Sequence, residues 1–400
     1  MADSGVAQEP AAGPDQPGPS RTLVAILALA TGIAVANLYY AQPLLGAMAQ
    51  SLHLRPAPLG LVVTLSQIGY AIGLLFLTPL GDVYARRMLI PALLTAVAIP
   101  LSLMALASNL PTLLCASLLL GALTVTPQLI VPLAAALTPP ARRGRVVGTV
   151  MSGLLIGVLV ARTVSGSIAG LLGWRAVYGC AAAASIALAL WLPRALPREP
   201  RTSPIPYREL IASLWQLTRT QPGLRQSAVT GATLFGAFSV FWTTVTFYLA
   251  GPPWRLGPAE IGLLGIAGLA GALAAPPVGR LADRLGPRRV VFAALTTAIA
   301  AFALLGLVGR HLWGIALGAA VLDLGVQGGQ IGNQTRIYAL AAGSGSRVNA
   351  VYLVGYFTGG AIGSGLGAAA WHMGGWPATL VVGALLLLGG LGAQWPNAVA

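Results

Sequence analysis

The sequence predicts an all-α membrane protein with twelve transmembrane helices in two pseudo-symmetric six-helix halves. Three observations predict this fold: a very low charge content, a series of long apolar segments and an internal repeat. Of the 400 residues, 56% are hydrophobic and only 8% are charged, whereas soluble domains usually carry about a quarter charged residues. The composition is therefore typical of a chain whose main partner is a lipid bilayer.

The apolar segments are long enough to cross a bilayer, since about 20 residues of helix span its hydrocarbon core. We predict spans at 22–45, 57–80, 88–107, 110–136, 146–171, 174–193, 225–250, 258–279, 288–308, 311–335, 347–370 and 376–394. Residues 1–21 are predicted to be a disordered tail. They contain acids but no basic residue before Arg21, and so lack the positive start of a signal peptide.

The positive charge follows a pattern along the chain. All 23 basic residues are arginine, and with the N-terminus inside, 18 fall on inner segments but only 4 on outer loops. This asymmetry is the positive-inside rule, which accounts for the net charge of +14 without a nucleic-acid partner. We therefore expect a multi-pass protein of the plasma membrane with both termini in the cytoplasm. The arginine-only basic set suggests a bacterial source.

The longest polar interruption, residues 194–224, separates six spans in 22–193 from six in 225–400. Its early prolines exclude a continuous helix. Leu210, Leu214 and Trp215 then recur at helical spacing, which predicts a short amphipathic helix on the inner membrane surface.

The two halves resemble each other when one is shifted by about 201 residues. The segment PLGDVYARR (79–87) matches RLADRLGPRR (280–289), and RVVGTVMSGLLIG (145–157) matches RVNAVYLVGYFTG (347–359). The first match pairs Asp82 with Asp283. Matching anchors at nearly one offset indicate a duplicated six-helix unit.

These residues carry a resemblance to the major facilitator superfamily over nearly the whole chain after residue 20. That family has the pattern G-x-L-x-D-x-x-G-R-[KR] between spans 2 and 3. The matching positions are Asp82, Arg86 and Arg87 in the first half, and Gly279, Leu281, Asp283, Gly286, Arg288 and Arg289 in the second. The segments NLYYAQPLL (37–45) and NQTRIYAL (333–340) resemble a bacterial branch grouped with drug and sugar efflux permeases.

The repeated loop motif has two interpretations. A carboxylate beside arginines can pair with them and with a neighbouring helix N-terminus, and such a cluster can close the cytoplasmic side and open when the halves rock. Alternatively, Arg86, Arg87, Arg288 and Arg289 only determine topology. The repeated spacing with an acid favours gating.

Span 10 carries a carboxylate in its middle. Asp323, Gln327, Gln330 and Gln334 are spaced by 4, 3 and 4 residues, which places them on one helical stripe. The resemblance implies that spans 1, 4, 7 and 10 line a central cavity, so this stripe becomes a candidate wall of a substrate path. Asp323 could carry a proton, contact a cationic substrate, or hold helices together.

Arg162 is the other charge deep in a span, and it cannot lose its proton. It could assist coupling or be purely structural. Gly148, Gly157 and Gly166 match the family's antiporter motif, but Ala161 and Arg162 replace its Gly-Pro. Ser117 also stands where some proton-coupled relatives have an arginine, which weakens the case for proton antiport.

Further candidates for the cavity are polar or aromatic. They are Asn37, Tyr40 and Gln42 in span 1, Gln128 in span 4, and Phe238 and Trp242 in span 7. Aromatic side chains with a few polar groups suit an amphipathic ligand. The alternative is that the aromatic side chains face lipid.

The resemblance implies a monomeric secondary transporter that works by alternating access and exports a small molecule against proton entry. A facilitator or importer without proton coupling is the alternative. A membrane enzyme or receptor is a third class. His53, His311 and His372 fall in predicted outer loops, and no metal spacing, nucleophile motif or phosphate loop is present in the sequence. We therefore expect no metal and no cofactor.

Overall fold

The computed structural model describes residues 18–54, 56–197, 206–340 and 345–394. Within these ranges every regular element is a helix, so the predicted all-α membrane fold is confirmed. The predicted disordered tail lies, up to residue 17, outside the described residues.

The first half contains spans 1 to 6, and three of these spans are interrupted. Their bounds are α1 (Arg21–Ala36) and α2 (Ala41–Ser51) for span 1, α3 (Pro56–Phe76) and α4 (Leu80–Val83) for span 2, α5 (Arg86–Leu106) for span 3, α6 (Leu110–Leu123) and α7 (Thr126–Ala136) for span 4, α8 (Pro140–Leu172) for span 5 and α9 (Trp174–Ala195) for span 6.

The second half contains spans 7 to 12. Their bounds are α11 (Pro222–Ala250) for span 7, α12 (Pro258–Leu263), a 3₁₀ helix (Leu264–Gly268) and α13 (Leu269–Leu285) for span 8, α14 (Pro287–Val308) for span 9, α15 (Leu312–Leu340) for span 10 and α16 (Gly345–Ala393) for spans 11 and 12. Spans 11 and 12 meet at Gly374 and Gly375, whose backbone is not helical. Gly375 has a φ of 61°, which a residue without a Cβ adopts readily.

The segment between the halves contains α10 (Tyr207–Thr220). Leu210 and Leu214 are buried, whereas Trp215 on the opposite face is 60% exposed. The Tyr207 hydroxyl donates a hydrogen bond to the Phe76 carbonyl oxygen at 2.8 Å, which ties α10 to the end of span 2. We call the end of the molecule that carries Ser20 and α10 the tail end, and the opposite end the far end.

Contacts between the halves are close at the far end. Thr64 of span 2 and Ser364 of span 11 share a hydrogen bond of 2.8 Å between their hydroxyl oxygens. A Cβ added at Gly166 of span 5 would stand 2.3 Å from the carbonyl oxygen of Pro258 in span 8. Because glycine has no Cβ, the backbones of spans 5 and 8 can approach each other this closely at Gly166. The far end is therefore closed.

The tail end of span 5 is open by comparison. No heavy atom lies within 4 Å of a Cβ added at Gly144 or Gly148. Gly157, further along the same helix, packs against Gly32 of span 1 within the first half. Span 5 is thus packed closely against the second half at the far end and is less closely packed at the tail end.

The internal repeat is visible in two matching hydrogen bonds. Arg87 donates from Nη2 to the carbonyl oxygen of Pro193 at 2.9 Å, and Arg288 donates from Nη2 to that of Gln394 at 2.5 Å. Donor and acceptor are 106 residues apart in both cases. Each arginine joins the start of the third span of its half to the end of the sixth.

Candidate functional site

A cavity of about 440 Å³ lies between the two halves and extends to the tail end. Side chains of both halves line it, including the polar residues Gln128, Arg162, Asp323, Gln327, Gln330, Gln334 and Asn349 and the aromatic residues Tyr39, Tyr70, Phe235, Phe238, Tyr338, Tyr356 and Phe357. Spans 2, 5, 8 and 11 contribute as well as the expected spans 1, 4, 7 and 10. Its size and mixture of groups are those of a small-molecule site.

The polar stripe of span 10 lies along one wall of this cavity. All four of its members line it, with Asp323 deepest and Gln334 nearest the tail end. Gln334 donates to the Asn349 side-chain oxygen at 3.3 Å, and the Tyr356 hydroxyl donates to Gln330 at 3.5 Å. The wall therefore offers amides that are partly engaged with span 11 and can exchange those partners for a ligand.

Aromatic rings form a second wall. Phe235 is stacked with Tyr356 at 4.2 Å between ring centroids and with Phe238 at 5.4 Å. Phe357 meets Tyr70 of the first half edge-on at 4.4 Å. Phe238 is 7% exposed and lines the cavity, so it does not face lipid. Flat apolar groups of a ligand can pack against these rings.

Asp323 is held at the deepest part of the cavity by span 7 and span 8. The indole N–H of Trp242 donates to its Oδ1 at 3.4 Å. Its Oδ2 lies where a side chain at Gly268 would stand, 2.5 Å from an added Cβ. Gly268 ends the 3₁₀ segment of span 8, and such segments inside helices often accompany functional sites.

Arg162 of span 5 lies beside Asp323 and is only 1% exposed. Its Nε donates to the Gln42 side-chain oxygen at 2.6 Å, while its Nη2 has no hydrogen-bond partner among the described residues. Its guanidinium carbon lies 4.0 Å from the ring centroid of Trp242 and 5.0 Å from that of Tyr39. The faces of these aromatic rings therefore stabilise the buried positive charge of Arg162 through cation–π contacts.

Arg162 and Asp323 are linked through Trp242. In the part of the chain that the structure describes, no ion pair within 4.0 Å joins them. Trp242 is instead bonded to Asp323 through its N–H and stacked on Arg162 through its ring. One indole ring therefore connects the two charges of the site.

The span 1 predictions need correction. Tyr40 is not among the cavity residues; it packs with the apolar cluster that includes Tyr178 of span 6, and its neighbour Tyr39 lines the cavity instead. The reason is the break of span 1 between α1 and α2, which interrupts helical periodicity at 37–40. Asn37 is buried away from the cavity lining, with no partner for its amide among the described residues.

Gln42 and Trp242 also lie behind the lining. Gln42 contacts Arg162, and Trp242 contacts both Arg162 and Asp323, but neither residue borders the cavity. Sequence reasoning missed Tyr39, Tyr70, Gly268, Asn349 and Tyr356. Asn349 and Tyr356 are seven residues apart on span 11, a helical spacing that would have indicated their common face. Gly268 had no such signal, because its role depends on Asp323 lying opposite.

The loop motif of the first half forms an ion pair between residues one helical turn apart. Arg86 Nη2 lies 3.4 Å from Asp82 Oδ1. Both residues line a groove at the tail end together with Arg347, the basic residue at the start of span 11. In the second half Gly286 has a φ of 87° and so needs glycine, whereas no heavy atom approaches Gly279 within 4 Å. Arg289 is exposed, and the side chain of Asp283 lies outside the described residues.

This duplicated six-span bundle with a cavity between its halves is the architecture of a membrane transporter. The chain belongs to the Major Facilitator Superfamily, whose family model matches residues 27–256 and 254–395. The family resemblance seen in the sequence is thereby confirmed, and the chain is a transporter of this superfamily.

Three similar proteins illustrate this membership. The uncharacterized transporter YgaY of Escherichia coli O157:H7 is 40% identical over 378 residues, covering 94% of this chain and 95% of that protein. The probable transporter SCO4007 of Streptomyces coelicolor is 34% identical over 382 residues, covering 94% of this chain and 89% of that protein. A bacterial homologue of the human lysosomal transporter Spinster, solved in an inward-facing and unoccupied conformation, superposes with a TM-score of 0.70 at 16% identity, with 93% of each chain covered.

Proposed function

We propose that the protein exports a small molecule in exchange for protons, by alternating access, as in the drug and sugar efflux branch. One observation carries this proposal. Asp323 is the acidic side chain among the described residues that line the cavity, and it is buried, with 5% of its surface exposed. A carboxylate there can take up a proton from one side of the membrane and release it to the other.

The arginine distribution supports the orientation. Because arginine-rich loops stay in the cytoplasm, we assign the tail end, and with it both termini, to the cytoplasmic side. The cavity is then open to the cytoplasm and closed towards the outside. A cytoplasmic substrate can enter this state directly, which is the loading step that export requires.

The proposed cycle uses contacts that are already present. Substrate occupies the cavity between the amides of span 10 and the rings of span 7, and the halves then rock so that the far-end contacts separate. In the outward-open state the substrate leaves and the Asp323 carboxylate accepts a proton. After return to the inward-open state the proton leaves to the cytoplasm, and Arg162 and Trp242 again stabilise the carboxylate.

The lining also supports a ligand class. Stacked rings and a row of amides with one charge of each sign suit a flat amphipathic molecule with hydrogen-bonding groups. The cavity volume of about 440 Å³ accommodates a molecule of drug size. We infer that the substrate is an aromatic or partly apolar organic compound.

The second candidate is a facilitator or importer of an uncharged metabolite, with Asp323 in a structural role. The observation in its favour is that Asp323 already has a hydrogen-bond donor in Trp242 and that amides are more numerous than charges in the lining. In that case transport follows the substrate gradient and does not respond to a pH gradient.

The test begins with a growth-inhibition panel in an efflux-deficient bacterial host that expresses the protein or Asp323→Asn at matched membrane levels. Glu260→Gln is the control, because Glu260 is an exposed carboxylate at the far end. We expect protection by the wild type and Glu260→Gln, and its loss in Asp323→Asn.

A compound found in this way is then measured in proteoliposomes with and without an imposed pH gradient. Proton-coupled export requires that the gradient drive the compound uphill in the wild type and not in Asp323→Asn. Equal, purely downhill transport by both proteins would favour the facilitator instead.

A further inference from the structure

An arginine-lined groove opens at the tail end of the second half, outside the central cavity. It lies between the start of span 9 and the ends of spans 10 and 12. Arg288, Arg289, Arg336, Gln394 and Phe292 line it together with Leu285, Gly286, Pro287 and Leu391, and its volume is about 880 Å³. Among these described lining residues three are cationic and none is acidic, so the groove is strongly electropositive.

Polar atoms in the groove lack partners within the protein. Gln394 is 6% exposed, and neither its amide nitrogen nor its amide oxygen has a hydrogen-bond partner in the described part of the chain. Arg336 bonds the Gln226 side chain through Nη2, but its buried Nη1 has no partner among the same residues. A buried donor without a partner is costly, so the Gln394 amide nitrogen and Arg336 Nη1 point to a ligand that supplies acceptors.

The internal repeat provides a comparison within the same molecule. Arg87 and Arg288 make the same bond to the end of the last span of their halves. Both halves carry an arginine pair at this loop, Arg86–Arg87 and Arg288–Arg289, but at the shift of 201 residues Ala135 stands in place of Arg336. The shared bond needs only one arginine. The additional arginine of the second half, Arg336, is therefore not explained by the architecture that the halves have in common.

The rim of the groove indicates where its ligand comes from. Phe292 and Leu285 are 54% and 47% exposed, and both border the arginines. The groove also includes the N-terminus of α14, a helix of 22 residues whose first backbone N–H groups favour anions. An anion that bears apolar chains matches both the charge and the rim.

We propose that this groove binds the phosphate-bearing headgroup of an anionic phospholipid, with the acyl chains packed along Phe292. Arg289 and Arg336 contact the phosphate, and Gln394 donates its amide N–H to the headgroup. The ligand belongs to the leaflet at the tail end.

The test is a titration of the full-length protein, purified in detergent, with phosphatidylglycerol, followed by native mass spectrometry. Arg289→Gln/Arg336→Gln is compared with wild type and with Arg142→Gln/Arg145→Gln, a pair of exposed arginines at the same end but outside the groove. Each arginine close to an anionic headgroup contributes about 1 kcal/mol, a factor of about five. We therefore expect affinity to fall at least about tenfold in the groove variant and less than about threefold in the control.

Three results would overturn the proposal. They are an equal loss in both double variants, equally tight binding of phosphatidylcholine by the wild type, and full displacement of phosphatidylglycerol by inorganic phosphate. The last result would assign the groove to a soluble anion. If Arg336→Gln fails to fold because its bond to Gln226 is lost, Arg289→Gln alone replaces it. Arg289 has no hydrogen bond in the described structure, and its loss should weaken binding about fivefold.

Discussion

The guanidinium group of Arg162 is stacked on the indole ring of Trp242, with 4.0 Å between the guanidinium carbon and the ring centroid. Arg162 belongs to the first half and Trp242 to the second, so this contact crosses the interface that must move during transport. Because the same indole bonds Asp323, any motion that separates the halves also changes the environment of the carboxylate.

Trp242→Phe should reduce coupled transport about tenfold while the protein remains folded. Phenylalanine keeps a ring under Arg162 but cannot donate to Asp323, and a hydrogen bond to a charged group contributes about 1.5–3 kcal/mol. Trp242→Leu removes both interactions and should be more severe. Proteoliposome transport and thermal unfolding in detergent are the measurements, with Trp313→Phe as control because Trp313 is 60% exposed. Full activity of Trp242→Phe would contradict a role for the indole N–H.

Arg162→Gln and Asp323→Asn should show strongly non-additive effects on thermal stability. Each single change leaves the opposite charge buried, which typically destabilises a protein by about 3–5 kcal/mol. The double variant removes both charges and should recover much of the loss. A double-mutant cycle on unfolding temperatures measures this coupling. Additive losses would mean that Trp242 does not link the two charges energetically.

Gly262→Ala should shift the protein towards a state that is open at the far end. An added Cβ would stand 2.6 Å from the carbonyl oxygen of Arg162, which is too close for the present contact between spans 5 and 8. Gly148→Ala is the control, since no heavy atom lies within 4 Å of its added Cβ. Distances between spin labels at the far ends of spans 5 and 8 report the shift, after Cys115 and Cys180, both exposed, are replaced by serine. An unchanged distance distribution in Gly262→Ala would exclude this contact as the closing element.

Asp82→Asn should slow transport several-fold with almost no change in stability. The Asp82 side chain is 38% exposed, and an ion pair so accessible to solvent contributes only about 0–1 kcal/mol to folding. Its expected role is in closing the tail end, where Arg86 and Arg347 line the same groove. Initial transport rates and unfolding temperatures should be measured together, with Glu209→Gln as control for the loss of an exposed acid at the same end. A normal rate would leave these arginines as topology determinants only.

Helical periodicity predicted the cavity face of span 10, because α15 runs without interruption from Leu312 to Leu340. The same reasoning selected Tyr40 instead of Tyr39 in span 1, where the helix is broken. Periodicity relates side chains along one regular helix and contains no information about where that helix ends. Span boundaries within the membrane were accordingly the less predictable part of the fold.

The linkage through Trp242 could not be predicted for a different reason. Its position on span 7 marked it as a cavity candidate, but its two contacts lie on spans 5 and 10. The sequence contains both charges and the indole but not the distances between helices far apart in the chain. Gly268 likewise matters because Asp323, which is 55 residues away in the chain, lies beside it.

The paired bonds from Arg87 to Pro193 and from Arg288 to Gln394 have a consequence for the energetics of a turnover. The first bond joins two residues of the first half, and the second bond joins two residues of the second half. Neither bond therefore has to break when the halves change their relative tilt. The activation barrier then arises mainly from the interface between the halves, where glycine contacts, the Thr64–Ser364 bond and the Arg162–Trp242 stack must separate. Turnover rate can therefore be tuned at a few interfacial positions while the folding stability of each half is left unchanged.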